Sequence, residues 1–337
     1  MAITETLTSL LLRNALGLFG ATVSSRLSIL IFHRVHAVPD PLFPFEPDAQ
    51  RFESLMRFVA RTFRVMTLGE AVDRLAQDTL PPRSLVITFD DGYADNAKVA
   101  LPILQSFGLR ATFFVSTGFL DGGRMWNDSV IECLRASSKE RVDLSPYGLE
   151  QKSLRTIKDR QHCIDVLLPR IKYLPLKDRE EAVTDLQRRC GIGELPRNLM
   201  MTSDQVRSMD RAGMEIGAHT VNHPILTSLQ AVDAEREIRD GRNALESLLD
   251  ASVDVFAYPN GKPGQDYDSS HLEIVKKLGF RAAVSTAPGV ARAGDDPLQL
   301  PRFTPWGRSN LVWGGRLVLN QARTHFERVG DHRIYSD

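Results

Sequence analysis

Short, almost wholly apolar segments alternate along this chain with longer ones whose apolar residues recur every three or four positions. Leu27-Ser28-Ile29-Leu30-Ile31-Phe32 is the first short segment, and it stops at His33-Arg34. Residues 48–61 follow with Phe52, Leu55, Met56 and Val59 at helical spacing. Phe63-Arg64-Val65-Met66 leads to Thr67, and Glu70 three residues on suggests a capping box for the next helix. Ser84-Leu85-Val86-Ile87-Thr88-Phe89 and Ala111-Thr112-Phe113-Phe114-Val115 are further apolar runs, separated by a predicted helix at 95–107 that Gly108 stops. The rhythm returns with a helix at 203–212, a strand at 214–218, a helix at 231–250, a strand at 253–259, a helix at 269–278 and a strand at 282–285. Strands this uniformly apolar are covered on both faces. Alternating with helices, they imply parallel pairing in an α/β layer or barrel.

Residues 122–200 break the rhythm. They are rich in Arg, Lys, Glu and Leu, and Val130 and Leu134, then Ile164, Leu167, Leu168 and Ile171, recur at helical spacing, so the stretch reads as a helical insertion. Residues 1–26 read as an amphipathic helix packed on the domain, with membrane-surface association the next reading and an export signal the third. Glu5 and Arg13 disfavour that signal, and no apolar run approaches the roughly 18–20 residues needed to span a bilayer. Residues 311–337 form a closing helix and tail, with Arg316, Arg323 and Arg328 beside apolar residues. Packing on the domain is expected there, with membrane-surface contact as the alternative.

Composition narrows the classes. With 337 residues, 42% hydrophobic and 25% charged, the chain has the material for a large core and no signature of disorder. Forty-two basic residues balance forty-two acidic ones, which argues against a nucleic-acid partner. Cys133, Cys163 and Cys190 are odd in number and widely spaced, as reduced structural thiols are; this favours the cytoplasm.

The candidate chemistry lies at strand ends. Asp90-Asp91-Gly92-Tyr93 follows the apolar run at 84–89, and His219-Thr220-Val221-Asn222-His223 follows the strand at 214–218. Adjacent aspartates also serve as turn formers or caps, and a lone His-x-x-x-His is often solvated surface. No acid directly follows His219, so this is not the zincin arrangement. Both groups nevertheless sit just after predicted parallel strands, the edge where α/β folds build their sites. Two carboxylates and two imidazoles are what a metal-dependent hydrolase requires.

Thr88-Phe89-Asp90-Asp91-Gly92-Tyr93 together with His219-Thr220-Val221-Asn222-His223 resembles the first two motifs of the polysaccharide deacetylase family, over roughly residues 27–305. The resemblance implies a distorted, incomplete (β/α) barrel, carried here by residues 27–310, that removes acetyl groups from N-acetylated sugars with one divalent metal. It assigns Asp91, His219 and His223 to the metal and Asp90 to the general base; from the residues alone, either aspartate could be the base. One carboxylate and two imidazoles suit Zn²⁺ and leave positions open for water and substrate. Both acids can serve one site only if the chain turns at the strand end, which Gly92 permits.

Two departures from the family pattern matter. The late Leu-x-His motif that carries a general acid in many members is absent, the region reading Leu300-Pro301-Arg302-Phe303-Thr304-Pro305. Phe32-His33-Arg34-Val35 instead resembles the early Tyr-His motif of the branch acting on poly-N-acetylglucosamine exopolysaccharide, making His33 the candidate acid and leaving His36 as a solvated histidine. The third motif's Arg-Pro-Pro-aromatic is replaced by Phe256-Ala257-Tyr258-Pro259-Asn260-Gly261, so the arginine that orients the base is missing there. Arg302 is the candidate replacement, against a surface salt bridge. Tyr258 and Pro259 are candidates for lining the site, Tyr258 also through its backbone N–H to the oxyanion; Trp126 is a candidate for bordering the sugar cleft. Core packing is the alternative for both aromatics.

The expected activity is thus metal-dependent N-deacetylation of a glycan or glycan precursor, including a lipid-linked sugar, in the cytoplasm with peripheral membrane contact or on an exported polymer. The alternatives are a peptidoglycan or non-sugar amide deacylase on the same fold and a catalytically silent glycan-binding module.

Overall fold

The computed structural model describes residues 26–304, 310–321, 323 and 325–330. Residues 1–25 of the helix expected over 1–26, and the tail after 330, lie outside them, and Arg26 belongs to the first strand. The strands of the main sheet are β1 (Arg26–Phe32), β2 (Arg64–Met66), β3 (Ser84–Phe89), β4 (Thr112–Val115), β7 (Glu215–Ala218), β8 (Val255–Ala257), β9 (Ala282–Pro288), β10 (Ala291–Arg292) and β11 (Leu300–Arg302). All pair in parallel except β10, which lies antiparallel on the start of β1. The order β1-β3-β4-β7-β8-β9-β11 closes into a barrel where Phe303, just past β11, bridges Leu30 of β1. The barrel is distorted at β3. One edge of that strand is shared, with β2 pairing Ser84–Val86 and β4 pairing Thr88 and Phe89.

Side-chain alternation splits the strands between two cores. Ile29, Val86, Phe114, Val255, Val284 and Leu300 pack together in one cluster. Leu30, Phe32, Leu85, Ile87, Phe89 and Phe113 face the helices in the other. There they meet Phe52, Leu55, Met56 and Val59 of α1 (Ala49–Thr62), a helix whose Asp48 cap accepts from the Arg51 N–H. Thr67 caps α2 (Leu68–Ala76) by accepting from the Glu70 N–H. The expected reciprocal half of the box is spent elsewhere, because the Glu70 carboxylate pairs with Arg74 and Arg110. The helix expected at 95–107 is divided into a π-helical turn (Asn96–Ala100) and α3 (Leu101–Ser106). Pro102 has no N–H to continue the regular ladder, and the turn before it widens.

The inserted stretch is more than helices. It carries α4 (Trp126–Ala136), α5 (Ile157–Lys172) and α6 (Leu176–Cys190), but also an antiparallel pair, β5 (Arg141–Asp143) and β6 (Gln151–Ser153). Three-residue strands are too short to leave a periodic signal, which is why the sequence reads as helical throughout. These elements share their own core, built from Val130, Leu134, Leu154, Ile164, Leu167 and Leu186 with all three cysteines, free and buried. Then come α7 (Ser203–Arg211), α8 (Ala231–Leu249), α9 (Ser269–Lys277) and α10 (Asn310–Gln321). The closing helix ends at Gln321 and docks on the barrel, with Trp313 edge-on to Phe58 at 5.8 Å between ring centres. No helix among the described residues is long and apolar enough to cross a membrane.

Candidate metal centre and active site

Alternation along β3 decides where the first acid goes. Val86 and Thr88 face the barrel interior, and Asp90, next in that series, is buried among them. There its carboxylate accepts two hydrogen bonds from Arg302, Nη1 to Oδ1 at 2.6 Å and Nη2 to Oδ2 at 2.7 Å. Arg302 is itself 1% exposed and is aimed by its surroundings, donating from Nε to the Ser285 carbonyl and from Nη1 to the Thr88 hydroxyl. The ion pair therefore lies in the barrel interior, not on the surface.

By the same alternation Asp91 would face the helix layer. A φ of +78° at Asp91 and +88° at Gly92 turns the chain instead, so both acids border one cavity. Asp91 Oδ1 then lies 3.4 Å from His219 Nε2 and 3.3 Å from His223 Nε2.

The two histidines sit on a loop after β7, not on a helix. Thr220 and His223 have φ of +64° and +49°, which bends the segment back on itself. Glu237 of α8 holds it there, accepting from the Val221 and Asn222 N–H groups and from the Asn222 side chain. Gly241 lets α8 come this close, since a Cβ there would fall 2.7 Å from the Thr220 carbonyl carbon. His219 Nδ1 lies 2.7 Å from the Ala257 carbonyl oxygen, which can only accept. Nδ1 therefore carries the proton, and Nε2 offers its lone pair to Asp91's side of the cavity.

Asp91 Oδ1 is buried without a hydrogen-bond donor, and the three donor atoms lie within 4.8 Å of one another. Separations of 3.3 and 3.4 Å between the oxygen and each nitrogen match the edge of a tetrahedron whose arms are about 2.0–2.1 Å, the usual zinc bond length. The donor set fits a small divalent cation. Burial alone would push both carboxyls up; the Arg302 guanidinium holds Asp90 below the ordinary carboxylate range, and His223, with His33 and His219, does the same for Asp91. Burial pushes the His223 imidazole down to about 4, leaving it neutral and able to ligate. Burial would lower His219 too, but the Asp91 carboxylate beside it, with Asp90, raises it.

The cavity above these groups measures about 460 Å³, within the roughly 300–1,000 Å³ usual for small-molecule sites. His33 is exposed on its wall just past β1, and Trp126 lines it from the start of α4. Tyr258 and Pro259 do not line it, which corrects the sequence expectation. The Tyr258 ring is fully buried, stacked 3.8 Å from Tyr267, with its hydroxyl on the Leu298 carbonyl. Its backbone N–H already donates to Val284 across β8 and β9, so it is no oxyanion donor. Asn260 and Thr286 line the cavity instead. The Asn260-Gly261 pair directly after a strand was a readable signal for a turn at the strand's carboxyl end. His36, expected to be solvated, is half-buried and lies 2.6 Å from Glu46. Lys172, Tyr173 and Arg179 of the insertion also reach the cavity, and nothing in their local sequence announces it.

A family model described as polysaccharide deacetylase matches residues 77–165 and 181–283. The chain is 22% identical over 294 residues to YxkH of Bacillus subtilis (strain 168), a protein named for the same family, covering 86% of this chain and 75% of that one. Among solved structures it resembles the Streptococcus pyogenes deacetylase PplD in complex with acetate, with a TM-score of 0.60 at 20% identity over 89% of this chain and 100% of the other. It also resembles IcaB from Ammonifex degensii, with a TM-score of 0.57 at 20% identity over 88% and 97%.

Proposed function

The chain belongs to the polysaccharide deacetylase family of hydrolases, and from that premise we propose that it removes N-acetyl groups from an N-acetylglucosamine-type unit of a glycan or glycan precursor, with one zinc ion held by Asp91, His219 and His223. The observation that carries this reading is the donor-free Asp91 oxygen facing two imidazole nitrogens, beside an Asp90 clamped by Arg302.

When bound, the cation supplies Lewis-acid polarisation of the acetamide carbonyl and acidifies water near neutral pH. Asp90 accepts the proton of the attacking water. Arg302 fixes its orientation and keeps it ionised, while each carboxylate oxygen retains a second lone pair for that proton. The leaving amine is a strong base and needs a proton as it departs. His33, exposed on the cavity wall, is the residue we assign to supply it. Trp126 offers an aromatic wall to the sugar.

Elemental analysis after zinc loading and desalting should find about one zinc in the wild type and none in a His219→Ala/His223→Ala variant. Metal retained by the double variant would remove these residues as ligands. His33→Ala should lower acetate release by about 10²-fold or more and abolish the basic limb of the kcat profile against pH. Full turnover with an unchanged basic limb would exclude His33 as the acid.

For location we propose the cytoplasm, with a soluble or lipid-linked sugar intermediate as substrate. Three free, buried cysteines, whose thiols burial pushes up to about 12 at Cys133 and about 11 at Cys163 and Cys190, favour a reducing compartment.

A further inference from the structure

The roof of the cavity carries positive charge that the deacetylation chemistry does not use. Arg179, in the first turn of α6, is only 7% exposed and lines the same cavity as Asp90 and Asp91. Its Nε is buried without a hydrogen-bond partner, and no carboxylate among the described residues forms a salt bridge with it. Its guanidinium instead lies over the Trp126 ring, 5.3 Å from the centroid, so one face of that indole is already taken. Three other sheltered arginines of this chain do have acids: Arg302 has Asp90, Arg34 has Asp95 and Arg135 has Asp40. A desolvated guanidinium left open is costly, and burial accordingly lowers the Arg179 pKa.

Its neighbours share the same character. Lys172, in the last turn of α5, lines the cavity with no salt bridge to a described carboxylate, its Nζ 5.4 Å from the Tyr173 ring centre. The Tyr173 hydroxyl accepts from Gln265 of the loop before α9, tying this roof to the barrel. Pro175, at the N-cap of α6, offers no side chain to cap the helix. The acids that line the cavity are Asp90, engaged by Arg302, and Asp91, facing the two histidines, so neither neutralises the roof.

We propose that Arg179, with Lys172, forms an anion-recognition subsite in which the roof binds an oxyanion of the substrate, the carboxylate of a uronic acid or the phosphate of a sugar phosphate. Arg179 presents a planar fork suited to such groups, and Trp126 holds that fork in place. The Arg179 fork is desolvated before substrate arrives, so a matching oxyanion gains an ion pair that a neutral sugar cannot make. The link from this subsite to deacetylation rests on the function proposed above; the anion binding itself does not.

Calorimetric titration of the zinc-loaded full chain with glucuronic acid, glucose 1-phosphate and glucose tests the binding. At least one acidic sugar should bind the wild type about 10-fold or more tightly than glucose. That preference should fall about 10-fold in Arg179→Gln and recover in part in Arg179→Lys. Glucuronic acid against glucose 1-phosphate tells which oxyanion is favoured, and any contribution from zinc is common to wild type and variants. No preference over glucose in the wild type overturns the proposal without needing a folded variant. An unchanged preference in a folded Arg179→Gln overturns it equally.

Acetate release then completes the test. N-acetylglucosamine linked to glucuronic acid and N-acetylglucosamine 1-phosphate are compared with neutral N,N′-diacetylchitobiose. The ratio of kcat/KM on the favoured acidic substrate to that on the neutral one should drop about 10-fold in Arg179→Gln. Loss of rate on both alike would assign Arg179 a structural role only. If the wild type releases acetate from none of them, the deacetylase reading fails, while the titrations still decide the subsite.

Discussion

Replacing Arg302 by Met should destabilise the protein by about 3–5 kcal/mol, the usual cost of stripping one partner from a buried ion pair. Both side chains are almost fully buried, 0% and 4% exposed, so water cannot take over the lost interactions. The variant would leave the Asp90 carboxylate, the Ser285 carbonyl and the Thr88 hydroxyl without the guanidinium that now joins them. Thermal or urea unfolding measures the loss. The pair also has a pH signature with a defined sign. Asp90 is held below its unfolded value, so its stabilisation is fully present above about pH 4 and is lost as pH falls through the lower folded-state value. In Arg302→Met the acid limb of the stability profile should flatten. An unchanged melting temperature, or an unchanged acid limb, would mean that the pair contributes nothing net.

Asp90→Asn should reduce acetate release by about 10²- to 10⁴-fold while leaving about one zinc per chain. The amide keeps the shape of the side chain but no longer takes a proton near neutral pH. Asp91, His219 and His223 are untouched. The variant also leaves Arg302 charged and buried, so some stability is lost with the activity, and the assay belongs below the variant's own melting point. Adding Arg302→Met to Asp90→Asn should recover part of that stability without recovering turnover, because the two residues act as one unit in folding and Asp90 alone in proton transfer. Full acetate release from Asp90→Asn would remove it as the base.

The separation of these two roles follows from how the site is written along the chain. Short, almost wholly apolar runs, stopped by Asp90-Asp91-Gly92 and by His219, were enough to place the acids and one histidine at the carboxyl ends of strands. That information is local: it needs only alternation, a strand end and a residue that tolerates a turn. The conformation of the histidine loop is not local. His-x-x-x-His spacing suits a helix, but Thr220 and His223 adopt left-handed backbone angles because Glu237 of α8 satisfies the loop's N–H groups. Tyr258 shows the converse. It stands in the motif position where a site residue was expected, yet a stacked partner in Tyr267 and the pairing of β8 with β9 draw it into the core.

The sequence by itself determined the chemical types at the centre, two carboxylates and two imidazoles, and the strand ends that carry them, because alternation and turn propensity act over a few residues. Only the tertiary structure decided that Arg302 meets Asp90 across 212 positions, that Asp91 and the histidines converge within tetrahedral reach, and that the 122–200 stretch roofs the cavity with Arg179 and Lys172. Those meetings depend on the closure of β11 onto β1 and on how the insertion packs over the barrel mouth. Closure and packing of this kind are settled by the burial of whole faces, which no local pattern encodes.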